Sequence, residues 1–175
     1  MLFNLFLGLD KIPSGYEIVK RNAVRCVAFD SQGNLLMIRT KKGDYNFPGG
    51  GMKPSETLQQ TLRREIAEET GFALSNIFDV VGIVEERNID KFDESKIFIM
   101  HSEYVRCEVD FTVQTPQNLD EYEKELDFKV EFVSIEDAIK SNTMLLEQPD
   151  DINPWVMRET EVLKYLIKWK TKKYA

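Results

Sequence analysis

Cysteine and histidine are scarce, with two and one among 175 residues. Two thiols cannot staple a chain of this length. Both lie in apolar, strand-like stretches, Val24-Arg25-Cys26-Val27 and Val105-Arg106-Cys107-Glu108, so they read as small buried hydrophobes in a reducing compartment. His101 has no Cys or acidic partner at ligand spacing and reads as structural. Positive charge is also in deficit: 23 Lys and Arg against 30 Asp and Glu give a net charge of -7. That balance argues against a general nucleic-acid or anionic-membrane binder, so phosphate chemistry here needs help from a cation. No apolar run approaches the length of a transmembrane helix. The apolar opening Met1 to Leu7 has no basic region before it and no small-residue cleavage site before Asp10-Lys11. The expectation is a cytoplasmic protein with an apolar N-terminal arm.

What is present is a 42% hydrophobic chain without repeats, low-complexity tracts or long linkers, which predicts one domain over 1–175 with a helical extension at about 153–173. Strands are expected over Glu17–Phe29 and Leu35–Thr40, joined through Asp30-Ser31-Gln32-Gly33-Asn34. Further strands are expected over Ile77–Val84, Lys96–Val109 and Phe128–Phe132, with an acidic segment, Asp120–Asp127, between the last two. The clearest helix runs from about Glu56 to Thr70, with Pro54-Ser55 as N-cap and Gly71 as C-cap. Ser134 to Asp137 resembles a capping box opening a short helix. In the last helix Trp155, Val162, Leu163, Leu166 and Ile167 form an apolar stripe, with basic residues up to Lys170–Lys173 at its end. That helix is expected to dock on the domain or on a second copy of the chain, as in a homodimer.

Glu65, Glu68 and Glu69 stand at i, i+3 and i+4, so a helix holds neighbouring Cβ atoms within about 5–6 Å. At about 100° per residue, Glu69 falls between Leu58 and Leu62 on the wheel, and Glu65 falls beside them. Ionised carboxylates on an apolar stripe are costly unless paired, protonated or bound to a cation. An all-oxygen ligand set suits Mg²⁺ or Mn²⁺, whereas Zn²⁺ would favour the His and Cys that this segment lacks. Just before the helix, Gly49-Gly50-Gly51 lets backbone approach a ligand and aim a carbonyl at a metal. Arg64 lies among the acids, with Glu56 as its anchor.

These residues carry a resemblance. Gly50, five residues, Glu56, seven residues and then Arg64-Glu65-Ile66-Ala67-Glu68-Glu69-Thr70-Gly71-Phe72 match every defined position of the Nudix box. The resemblance implies a mixed α/β (α+β) fold, the Nudix α/β/α sandwich with a mixed sheet and a C-terminal helix. It also implies a hydrolase that cleaves a diphosphate bond in a nucleoside diphosphate linked to another group, with Mg²⁺ or Mn²⁺ as cofactor. By similarity Glu65, Glu68, Glu69 and the Gly49 carbonyl ligate metal, with Arg64 and Glu56 supporting them and Gly50 holding the turn.

The family varies in its general base, and the candidates here are Glu65 and the acids outside the box, Glu121, Glu123 and Glu125. Arg39 stands where family members often carry a basic residue near the substrate, while Tyr45 and Phe47 are candidates for stacking on a base. Arg21, Arg25, Lys41, Lys42 and Lys53 are candidates to offset substrate charge, with surface solvation as the main role for most of them. Proline is absent between Val80 and Val113 and tyrosine is absent near Arg87 to Asp90, departing from the ADP-ribose and dinucleoside polyphosphate patterns. A nucleoside triphosphate or nucleotide sugar remains the expected substrate. The alternative is a catalytically weak, nucleotide-sensing domain of the same fold.

Overall fold

The computed structural model describes residues 1–148 and 151–174, with side chains described through 169. The basic cluster at Lys170–Lys173 therefore lies outside the described side chains. In chain order the elements are β1 (Phe3–Gly8), β2 (Glu17–Val27), β3 (Leu35–Arg39), β4 (Tyr45–Asn46), α1 (Leu58–Thr70), β5 (Ala73–Ile89), β6 (Lys96–Asp110), α2 (Glu121–Glu125), β7 (Lys129–Val133), α3 (Ile135–Leu146) and α4 (Val156–Tyr174).

The strands form a mixed sheet ordered β1-β5-β6-β2 and a second sheet ordered β4-β3-β7. β1 and β2 run parallel to β5 and β6, while β5 and β6 pair antiparallel. Strand alternation sends side chains to opposite faces. Val24, Cys26, Val105, Cys107 and Val109 pack on one side with Leu62 and Ile66 of α1. Val27, Met37, Phe47 and Tyr104 pack on the other side with Ile135 and Ala138 of α3 and Val162, Leu163 and Leu166 of α4. Helices thus cover both faces, as an α/β/α sandwich requires.

Three local expectations change. The N-terminal arm is not loose: β1 pairs with β5, and Phe3 sits in the core against Tyr104, ring centroids 5.6 Å apart. Thr57 replaces Pro54-Ser55 as the cap of α1, because its hydroxyl accepts from the Gln60 N–H while the Gln60 side chain accepts from the Thr57 N–H. Glu56 is thereby left outside the helix. The acidic segment contains a one-turn helix, α2, closed by a reciprocal cap between Asp120 and Glu123. Cys26 and Cys107 are buried, unpaired thiols. No helix among the described residues is long and apolar enough to cross a membrane.

Candidate active site

A cavity of about 780 Å³ opens where the glycine turn, α1 and α2 meet, and Glu65, Glu68, Glu69 and Glu123 all line it. α1 buries Leu62 and Ile66 completely, and the same face carries Glu65 at 8% and Glu69 at 4% exposure. Carboxylate oxygens of Glu65, Glu69 and Glu123 all lie within 4.8 Å of one another. Of the acids outside the box, α2 delivers Glu123 to this cluster. Glu121 and Glu125 flank it on exposed positions.

Glu69 is the most buried of the three. Its Oε2 accepts the Gly49 N–H at 2.7 Å. Burial pushes its carboxyl well above the usual range, and repulsion from Glu65 and Glu123 adds to the effect, against relief from Gly49 N–H and the Arg25 guanidinium. Glu123 is raised too, first by desolvation and then by Asp120, Glu65 and Glu68, although the Asp120 N–H opposes the shift.

Arg64 organises the remaining acids. Its Nε and Nη2 donate to the two Glu56 oxygens at 2.7 and 2.8 Å, while Nη1 donates to Glu65 at 2.7 Å and to Glu68 at 3.2 Å. A planar guanidinium suits this forked arrangement. The double hydrogen bond from Arg64 holds the Glu56 carboxyl down at about 2. Glu56 in turn helps keep Arg64 protonated.

The turn requires its glycines. Gly49 adopts φ 135°, where a Cβ would meet the Val24 carbonyl, and a Cβ on Gly50 would meet the Glu65 carboxylate. The Gly49 carbonyl accepts a hydrogen bond from Arg25 Nη1.

The three proposed substrate contacts lie elsewhere. Arg39 donates to Glu131 at 3.4 Å, and Tyr45 donates its hydroxyl to the same carboxylate at 2.7 Å. None of Arg39, Tyr45 or Phe47 lines the cavity with the acids. Phe47 packs in the core and offers no face to a base: it is fully buried and meets Tyr104 edge-on at 5.4 Å. His101 also lies outside this cavity.

Arg25, Tyr122, Trp155 and Arg158 line the cavity instead. Arg25 reads as one solvated strand charge among several, and Trp155 as helix packing. Arg158 and Glu159 carry a signal of their own, since they stand three and four residues after Trp155 on the stripe that continues to Val162. Arg158 donates to Glu86 at 2.7 Å and to Glu159 at 2.6 Å, and Glu159 accepts from Tyr104 at 2.9 Å.

Comparison with known proteins yields one family match and several relatives. A family model, NUDIX domain, matches residues 19–156. A nucleoside triphosphatase, NudI, from an Enterobacter species is 32% identical over 59 residues, covering 30% of this chain and 42% of its own length. An RNA pyrophosphohydrolase from Saccharophagus degradans is 34% identical over 67 residues, covering 37% of this chain and 39% of its own. The chain thus spans about two fifths of these curated relatives. The crystal structure of a mutator MutT protein from Bacillus halodurans superposes with a TM-score of 0.50 at 19% identity, covering 69% of this chain and 72% of that one, a likeness of fold.

Proposed function

The chain belongs to the Nudix family, and on that premise we propose that it is a divalent-cation-dependent hydrolase of diphosphate bonds in nucleoside diphosphate derivatives. Nucleoside triphosphates and nucleotide sugars are the substrates assigned. The observation that carries this reading is the convergence of Glu65, Glu69 and Glu123 within 4.8 Å at a cavity wall, two of them buried.

The donor set fits a hard cation, because carboxylates without sulfur or imidazole suit Mg²⁺, with Mn²⁺ as substitute. Glu65, Glu68 and Glu69 would hold it, joined by the second lone pair of the Gly49 carbonyl, which leaves Glu123 beside the site as a carboxylate free of the cation. When bound, it supplies Lewis-acid stabilisation of phosphate charge and lowers the pKa of a water.

The chain's own residues do the rest. The Gly49 N–H fixes the Glu69 carboxylate, and Arg64, braced by Glu56, fixes those of Glu65 and Glu68. Glu65 already accepts a short hydrogen bond from Arg64, whereas Glu123 accepts from the Asp120 backbone N–H. Glu123 is therefore the assigned general base, taking the proton of the attacking water. Arg21, Arg25 and Lys53 on the cavity wall offset the charge of the bound phosphates. The buried thiols of Cys26 and Cys107 support a cytoplasmic setting.

The test incubates the protein and Mg²⁺ with nucleoside triphosphates, nucleotide sugars, ADP-ribose, dinucleoside polyphosphates and coenzyme A, resolving products by chromatography. Selective cleavage that is lost in Glu123→Gln supports the reading. Absence of turnover across the panel contradicts it.

A further inference from the structure

A second cavity, of about 600 Å³, shares Arg21, Arg25, Tyr122, Trp155 and Arg158 with the one that holds the acids. The two cavities therefore adjoin along a cleft whose linings differ chemically. The carboxylates line the first. Three guanidinium groups and two aromatic rings line both, and the second adds Phe92 and Phe98.

Trp155 is held rigidly where the two adjoin. Its indole N–H donates to Asp44 at 2.7 Å, and Asp44 is itself fully buried, accepting also from Asn153 at 2.9 Å and from the Thr40 hydroxyl. Tyr122 and Phe128 meet the indole edge-on, at 6.2 and 6.4 Å. A large ring fixed by a buried carboxylate at the rim of a cleft is a preorganised stacking platform.

The arginines have spare hydrogen-bonding capacity. Arg21 and Arg25 are four residues apart on β2 and so share a face. Arg25 spends Nη1 on the Gly49 carbonyl, and its buried Nε–H has no hydrogen-bond partner among the described residues. A buried donor without a partner calls for one, and an anionic oxygen in the cleft supplies it.

We infer that Trp155 and Tyr122 form a nucleobase-binding subsite, from which the phosphates of a nucleotide run past Arg21 and Arg25 toward the acidic cluster. This rests on reading the cleft as a nucleotide site and specifies which part of it holds the base. Its consequence is that recognition depends on the heterocycle as well as on the phosphate charge.

The tryptophans permit a direct test. Trp169→Phe leaves Trp155 as the single tryptophan, so emission reports on the subsite without altering it. Nucleoside 5′-monophosphates, titrated in EDTA, are expected to quench that emission saturably, while ribose 5-phosphate leaves it unchanged. Tyr122→Ala, at a half-exposed position, is expected to weaken nucleotide binding about tenfold or more, the scale of a lost base–aromatic stack. Equal quenching by ribose 5-phosphate, or no quenching by any nucleotide, overturns the inference. Quenching without any Mg²⁺-dependent hydrolysis leaves the subsite standing and removes the catalytic reading. Hydrolysis of nucleotides with a silent Trp155 removes the subsite alone.

Discussion

The backbone N–H of Gly49 donates to the Glu69 carboxylate at 2.7 Å, fastening the glycine turn to the helix that carries the acids. Because Gly49 sits at φ 135° against the Val24 carbonyl, Gly49→Ala is expected to cost about 1–3 kcal/mol in strain. It should also displace the turn from Glu69. Urea denaturation measures the first effect, and steady-state hydrolysis should fall in parallel. An unchanged denaturation midpoint would show that the turn tolerates a side chain.

Glu69 imposes a pH dependence on the cation-free protein. Its folded-state carboxyl is raised above the ordinary value of 4.5, so between that value and the raised one the native state binds more protons than the unfolded chain. Stability therefore falls as pH rises through this window. Thermal melts in EDTA should show a falling Tm from about pH 5 upward, and Glu69→Gln should flatten the slope and raise Tm at pH 8. A Glu69→Gln variant that melts below the wild type there would contradict the buried-charge account.

Glu56 acts in the opposite sense. Its carboxyl is depressed to about 2, chiefly by Arg64, so the stabilisation it contributes is present above 4.5 and is lost as pH falls toward 2. Glu56→Gln should also loosen Arg64 and the two acids it holds. A fall in activity or metal affinity of about 10–100-fold is expected, the range seen when a partner of a ligating side chain is removed. Mg²⁺-dependence curves of rate for both proteins measure it.

A buried cation, Arg158, bridges Glu86 of β5 and Glu159 of α4, with side-chain exposures of 6%, 14% and 0%. Arg158→Met removes the only cation the two acids share in this contact and leaves their charge buried. Loss of about 3–5 kcal/mol is expected from chemical denaturation. A loss below about 1 kcal/mol, the scale of a surface pair, would mean that the network is solvated.

Much of this arrangement is legible in the sequence because charge and periodicity conflict there. Glu65 and Glu69 fall on the apolar stripe of α1, a placement that calls for pairing, protonation or a bound cation. Arg158 and Glu159 show the same conflict on α4, standing on the stripe that runs from Trp155 to Val162. Local propensity also locates strands, because apolar and charged residues alternate in β6 and β7. By contrast, β1 depends on a tertiary partner: an isolated apolar arm has no strand to pair with until β5 is in place. Glu123 reaches the site by chain topology, which no spacing encodes, and Trp155 arrives from 83 residues beyond the box for the same reason. Phe47 illustrates the reverse case, a ring next to the glycine turn in sequence that the alternation of the chain sends into the core.

Whether the acid cluster centred on Glu69 holds a divalent cation is decided by Mn²⁺ titration followed by electron paramagnetic resonance. The wild-type protein is expected to bind Mn²⁺ saturably, with Mg²⁺ competing, and Glu69→Gln is expected to weaken binding at least tenfold while keeping its fold by circular dichroism. Equal Mn²⁺ affinity in the two proteins would contradict the assignment.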